Sequence, residues 1–458
     1  MEKSLTQTSP SDISIRNLAQ GTMVALGLQI AGVLLTYLVQ ICLARWMGKA
    51  EYGLYTYVMA WCLTLAIPAG LGLPRAVLRF VSEYRVQGEW GRMRGVLLSS
   101  WQFTLVMGFI VAIVGSASLS LISRYHSFTY APVLSIGVWL IPFLALLQLQ
   151  EDMGRGAKSL FLAYGPSKVL WPILLLGGGL FLLQTGRMLT SVSMLDLSIG
   201  TLAAVVLFQL CFIWFRYTSE IATTETVYAR RQWLGVALPL LFHRAFREIL
   251  RQIDVIMVGS LIGAATAGIY NAAANTALWV SFILQTVNLV VAPAFTTLYT
   301  QKNIPGLQKV VSIASLWILW PSLAIALLLG VLAQPILGLF GHEFVAADWS
   351  LKILVIGQLT NALCGSVGNL MVMTGYQNKV LIVSSTCAFV NLILNAIAIP
   401  IWGMNGAALA TAFTLILYNL WSSVLVMKNI GITPSVATDF WGQYILKSVD
   451  PSGDLEQQ

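Results

Sequence analysis

Charge is what this sequence has least of. Of its 458 residues, 10% are Asp, Glu, Lys or Arg, against about a quarter in an ordinary soluble domain. With 57% hydrophobic residues, no soluble core could hide the apolar surface. That excludes a water-soluble globular protein and leaves a multi-span membrane protein. Acidic residues are the scarcer sign, 18 against 26 basic, for a net charge of +8. A basic excess can serve nucleic acid. Here the basic residues lie in short loops between apolar runs, so no nucleic-acid partner is expected. Histidine is down to three residues and cysteine to five. The cysteines (Cys42, Cys62, Cys211, Cys364, Cys387) fall inside apolar runs without CxxC spacing, so neither a disulfide framework nor a metal site is expected. A cleavable signal peptide is not expected either. The first apolar run, Gln20 to Ala44, is too long for a signal h-region.

What is present is a row of apolar runs. Twelve transmembrane helices are expected, over 20–44, 52–74, 95–122, 128–150, 163–186, 194–215, 233–262, 266–299, 308–338, 351–375, 379–400 and 404–427. Two uncharged runs, 255–301 and 380–427, are each about twice the roughly 20 residues of one crossing, so each must hold a hairpin. The second turns at Trp402-Gly403-Met404-Asn405-Gly406. With the N-terminus inside, 18 of the 26 Lys and Arg fall in tails and inner loops and five in outer loops. Both termini are therefore expected in the cytosol. The expected order is a cytosolic tail (1–19), an N-lobe of spans 1–6 (20–216), a cytosolic linker (217–232), a C-lobe of spans 7–12 (233–428) and a cytosolic tail (429–458).

The chain repeats itself. Gly48, Gly53 and Tyr55 match Gly263, Gly268 and Tyr270 at one offset, 215, which also carries Gly91 and Arg94 onto Gly306 and Lys309. Lys168-Val169-Leu170 then matches Lys379-Val380-Leu381, and Gly200 matches Gly406. Spans 1–6 and 7–12 read as two copies of one six-helix unit. Parallel repeats of this kind are a transporter architecture with a binding site between lobes.

Span 7 carries Arg244, Arg247 and Arg251. At about 100° per residue they share an arc of about 60°. Each arginine at mid-bilayer costs roughly 2.5–3.5 kcal/mol, so three facing lipid would cost on the order of 9 kcal/mol. The sequence therefore points this face at a water-filled cavity suited to an anion, with His243 adjoining it. Internal neutralisation is the competing reading, through Glu248 four residues after Arg244 and Asp254 three after Arg251. Those two acids are candidates for coupling or ion pairing. A cytosolic extension of span 7 is a third reading.

Polar stripes fit a cavity wall elsewhere: Gln29, Tyr37 and Gln40 on span 1, Asn271, Asn275 and Gln285 on span 8, Gln358 and Asn361 on span 10. Their amides can bond sugar hydroxyls, or glue helices together at around 0.6 kcal/mol per bond. Arg75 and Arg79 end span 2 at the expected cytosolic mouth. There they serve topology, anionic lipid or an incoming phosphate. Glu151 and Asp152 at the end of span 4 read as solvated partners of Arg155 or Lys158, with a protonation site for coupling as the competing reading.

Leu43-Ala44-Arg45-Trp46-Met47-Gly48, Tyr52-Gly53-Leu54-Tyr55 and Arg79-Phe80-Val81-Ser82-Glu83-Tyr84 resemble the opening of the oligosaccharide flippases. These form the polysaccharide-transporter branch of the multidrug/oligosaccharidyl-lipid/polysaccharide exporter superfamily. Gly268-Ile269-Tyr270-Asn271-Ala272-Ala273, Phe340-Gly341-His342-Glu343-Phe344 and Met373-Thr374-Gly375 resemble the family's second lobe. The resemblance spans about residues 12–430, carried by order and spacing. It implies an all-α MATE-like fold of two pseudo-symmetric six-helix bundles around a cavity, alternating access, and no enzymatic activity. The implied cargo is a polyprenyl-diphosphate-linked oligosaccharide of O-antigen, capsule or exopolysaccharide assembly. It would move from the inner to the outer leaflet of a bacterial or archaeal cytoplasmic membrane. Membrane lipids and polysaccharide polymerase or assembly proteins are the implied partners. On this reading the arginine face holds the diphosphate, since guanidinium binds phosphate oxygens bidentately. No cofactor is expected, and a coupling ion, H+ or Na+, stays open. A cation-coupled drug exporter of the same superfamily and a flippase for lipid-linked peptidoglycan precursor are the rivals. The first usually wants a buried carboxylate, and spans 1–3 contain no Asp or Glu. A membrane polymerase or ligase needs a large outer loop, which is missing.

Overall fold

The computed structural model describes the backbone of residues 10–125, 129–157, 159–186, 188–221 and 225–434. The side chains of 10–26, Leu160, Arg216, 218–221, Phe242, His243, Phe246 and Arg247 lie outside the described residues. All of the described regular structure is helical. Helix α1 (Pro10–Ala69) is two spans joined at Gly48, whose φ of 73° and ψ of 171° no helix contains. Then follow α2 (Leu73–Gln87), α3 (Trp90–Tyr125), α4 (Ala131–Gly137), α5 (Ile141–Gly156), α6 (Leu160–Gly165), α7 (Trp171–Gln184) and α8 (Ser191–Ile221). The second half holds α9 (Arg230–Leu261), α10 (Ala264–Thr300), α11 (Ile304–Val331), α12 (Ala333–Gly338), α13 (Asp348–Cys364), α14 (Val367–Met373), α15 (Gln377–Trp402) and α16 (Met404–Ile430).

Most of these helices overlap the expected segments, but α2 does not: it lies in the stretch expected as an inner loop between spans 2 and 3. Among the described residues nine are long and apolar enough to cross a membrane unaided, ten with the bent pair that ends in α14. In the first unit Leu34 and Leu38, and in the second Trp317 and Trp320, stand 48–71% exposed, apolar surface of the kind lipid covers. Both expected hairpins occur. Gly263 (φ 142°) separates α9 from α10, and Gly403 (φ 62°) separates α15 from α16. Three segments are less regular than expected. A 3-10 turn, Val138–Leu140, joins α4 to α5 ahead of Pro142, and a π-helical stretch, Pro166–Leu170, precedes α7. Span 10, expected as one helix over 351–375, breaks at Gly365 (φ 70°) with a bend of 43°.

The chain forms two compact units, Met1–Leu43 with Cys62–Ala245, and Ala44–Trp61 with Phe246–Gln458. They do not part at the linker expected over 217–232. In the first unit the Trp233 indole donates to the Tyr84 hydroxyl at 3.0 Å, and the Val227 amide to the Gly91 carbonyl at 3.1 Å. The backbone of Ala237 lies against Gly72. These contacts carry the start of α9 with the first unit.

In the second unit, residues 44–61 dock on α9, α10 and the loop after α12. The Tyr57 hydroxyl bonds Ser260 Oγ at 2.9 Å, the Arg45 guanidinium donates to the Leu339 carbonyl at 2.5 Å, and Lys49 pairs with Glu343 at 2.7 Å. At the centre Gly53 meets Gly268, its counterpart in the repeat. A Cβ on Gly268 would stand 2.5 Å from Gly53 Cα. Only backbone can fill that space, so side chains there overpack a site that has nothing soft to move. Gly268→Val is expected to cost at least the roughly 1–3 kcal/mol of a forced core insertion. In detergent its melting temperature should fall by many degrees, while Gly330→Ala, facing open space, should leave it unchanged or slightly raised. Equal melting of the two variants would disprove the close crossing.

Candidate functional site

The densest polar cluster in the second unit is built by four helices around one carboxylate. Asp254 sits on α9 and is 6% exposed. Its Oδ1 accepts from Asn395 Nδ2 at 2.8 Å. Its Oδ2 accepts from the Tyr270 hydroxyl at 3.0 Å and from the Thr411 hydroxyl. Asn391 and Asn395 stand one turn apart on α15. Asn395 Nδ2 also reaches the Asn391 carbonyl and Oδ1, both at 3.0 Å. Asn391 Nδ2 in turn donates to Thr414 Oγ1 at 3.2 Å. Tyr270, Asn391 and Asn395 are at most 1% exposed.

Small residues let these helices approach. Gly406 lies on the Ala398 backbone at the α15–α16 turn, Gly357 on Ala412, and Ala407, Ala408 and Ala410 are buried. Close helix packing through small residues is the membrane mode of association. It leaves a carboxylate in a dry interior whose partners, among the described residues, are hydroxyls and amides with no Lys or Arg. Holding an uncompensated charge there costs several kcal/mol. Such a carboxylate carries a proton or holds a cation. The Asn395 Oδ1 atom points the same way, since it is buried with no hydrogen-bond partner. Two carboxylate oxygens, hydroxyls and an amide oxygen are the donor set a hard monovalent cation takes.

The structure corrects the intrahelical pairing expected for Asp254. Among the described residues no ion pair joins it to Arg251. Arg251 is exposed, while Asp254 faces α10, α15 and α16. Glu248 is half-buried and accepts from Gln252 at 3.2 Å. Arg244 is half-buried. The side chains of Arg247 and His243 lie outside the described residues. The α9 backbone carries all four through one continuous helix.

The expected cavity stripes separate into parts. Asn271 and Asn275 are joined at 3.0 Å, and Asn271 Nδ2 reaches the Tyr52 hydroxyl at 3.4 Å. Gln285 is exposed further along α10. Gln358 and Asn361 share α13, the first buried and the second half-buried. In the first unit Gln29, Tyr37 and Gln40 are half-buried on α1, and Gln40 Oε1 is buried without a partner. Asp152 departs from its expected solvation. It is 5% exposed and lies between Arg155, at 2.8 Å, and Arg75, at 3.8 Å. Arg75 is thus tied to the end of α5, while Arg79 is the more open, 3.9 Å from Glu83. Tyr270, Asn391, Asn395 and Thr411 were not expected at the site. Asparagines one turn apart in an uncharged run are the signal that identifies the α15 pair.

Residues 18–299 match the family described as polysaccharide biosynthesis protein, and residues 239–397 match the family described as MatE. No curated protein matches the sequence. Among solved structures, an inward-facing multidrug resistance MATE family transporter of the MOP superfamily superposes with a TM-score of 0.71 at 14% identity, over 94% of this chain and 99% of that one. The lipid II flippase MurJ in an inward closed conformation gives 0.69 at 16%, over 95% and 94%. The Vibrio cholerae MATE transporter VcmN in its bent form gives 0.57 at 15%, over 91% and 98%. At such identities the likeness is one of fold, and the fold is the MATE-like one the sequence implies.

Proposed function

The chain belongs to the polysaccharide biosynthesis protein family, and from that premise we propose that it flips a polyprenyl-diphosphate-linked oligosaccharide. It is a multi-pass membrane transporter with the MATE-like fold, not an enzyme. The cargo would be an O-antigen, capsule or exopolysaccharide unit, carried from the inner to the outer leaflet of the cytoplasmic membrane. Both termini would lie in the cytosol, and polymerase or assembly proteins would receive the product.

The observation that carries this reading is helix α9. It is 32 residues long, enough to cross a membrane, yet among the described residues it is not one of the nine uniformly apolar helices. Its excess charge is arginine, and arginine suits diphosphate. We assign the phosphate contact to Arg244, Arg247 and Arg251, with His243 beside them. The sugar contacts fall to the amides on α1, α10 and α13. The Asp254 cluster is the seat of the coupling ion, H+ or Na+. It lies within about one to three helical turns of the arginines on the same helix, so occupancy there can bias the helix that holds the cargo.

The reading is tested in vesicles holding the purified protein and a fluorescent polyprenyl-diphosphate oligosaccharide. Movement of the glycolipid between leaflets is expected, with no extrusion of cationic dyes. Dye extrusion with an immobile glycolipid would move the chain to the drug-exporter branch. Movement of lipid-linked peptidoglycan precursor alone would replace the cargo and leave the arginine site in place.

A further inference from the structure

Residues 431–434, directly after α16, stay packed on the second unit. Gly431, in the left-handed conformation (φ 74°), ends the helix, and residues 431–434 run back along α11 as an extended strap. Gln308 on α11 reads the backbone of this strap with both ends of its amide. Gln308 Oε1 accepts from the Thr433 N–H at 2.9 Å, and Nε2 donates to the Thr433 carbonyl at 3.0 Å. Ile432 is 2% exposed, packed among Leu307, Val311, Cys364 and Val367. One residue further, the Pro434 carbonyl accepts from Ser315 Oγ at 3.0 Å.

Pro434 lies where span 10 is broken. A Cβ on Gly365 would lie 3.2 Å from the Pro434 carbonyl and 2.8 Å from Ser315 Oγ. The absent side chain at the bend is thus the space the strap occupies. A glycine in positive φ, a 43° bend and an inserted carbonyl coincide at one point. Val367 and Cys364, on opposite sides of the break, both touch the core that Ile432 enters.

We propose that residues 431–434 are a latch that props span 10 in its bent form. Straightening the span requires the strap to leave. The latch rests on contacts inside the second unit and is independent of the cargo.

Hydrogen–deuterium exchange on the full-length protein in detergent tests it, with Gln308→Ala as the variant. The variant loses both bonds to the Thr433 backbone, together with the contacts of Nε2 to Thr433 Oγ1 and Ser312 Oγ, a loss worth about a tenfold change in opening or more. Exchange is expected to quicken by about that factor at residues 428–434 and, together with it, at residues 359–373 on both sides of the bend. The first unit should stay at the wild-type rate. Faster exchange of the strap with an unchanged bend would overturn the latch, as would no change at either place. If Gln308→Ala does not fold, a chain stopped after Gly431 is read for the bend alone, with the same two outcomes.

Discussion

Arg247→Glu combined with Arg251→Glu is expected to reduce glycolipid flipping by two to four orders of magnitude while the protein stays folded and inserted. A hydrogen bond to a charged group is worth about 1.5–3 kcal/mol. Two of them lost from the cargo complex give roughly 3–6 kcal/mol. At about 1.4 kcal/mol per tenfold this is the stated range, and the reversed charges add repulsion from the diphosphate. The measurement is the rate of leaflet exchange in vesicles, beside size-exclusion and melting profiles. A neutral double variant, Arg247→Gln with Arg251→Gln, should fall between reversal and wild type, because it removes attraction without adding repulsion. Wild-type flipping by the reversed protein would remove the diphosphate from α9 and leave the arginines to structure or topology.

The second large effect is at Asp254. Asp254→Asn keeps the shape and an acceptor for Tyr270 and Thr411 but removes the charge. Coupled transport is expected to vanish, so that imposing an ion gradient no longer accelerates flipping. Folding should survive, since the variant no longer buries an uncompensated carboxylate. Melting identifies the ion. A bound cation at a hundred times its Kd stabilises the folded state by about 2.7 kcal/mol. If Na+ is the ion, wild-type melting temperature rises with NaCl over a KCl control and Asp254→Asn melts at a constant temperature. If the ion is a proton, neither protein responds to Na+, and wild-type flipping alone responds to a pH gradient. An Asp254→Asn protein that keeps the wild-type ion dependence would strip the cluster of this role.

The fold was legible because the features that define it are local. Apolar run length gave the spans, and glycine punctuation gave the hairpins at Gly263 and Gly403. The repeat placed Gly53 and Gly268 in equivalent positions, though not in contact. The break at Gly365 is hidden in sequence. A glycine inside an apolar run reads equally as close packing, and the strap that needs the space is some 70 residues away. The site was half legible. Asp254 stands out as a charge in a span. Its partners do not, because hydroxyls and amides on three other helices look like ordinary helix glue until the chain brings them together. The arginine one turn before it, Arg251, suggested an ion pair. Burial of one face of α9 decided otherwise.

The carboxylate of the cluster has no twin at the equivalent position of the first half. The offset of 215 that carries Gly53 onto Gly268 carries Val39 onto Asp254, and Val39 is buried and apolar. Whatever duplication produced the two halves, only one descendant kept or acquired a charge at that position. A gene fusing two first halves would encode a protein with nowhere to seat an ion. Fusing two second halves would encode one with two such seats. The two halves of the natural chain therefore differ at this position, and the seat proposed for the ion belongs to one of them alone.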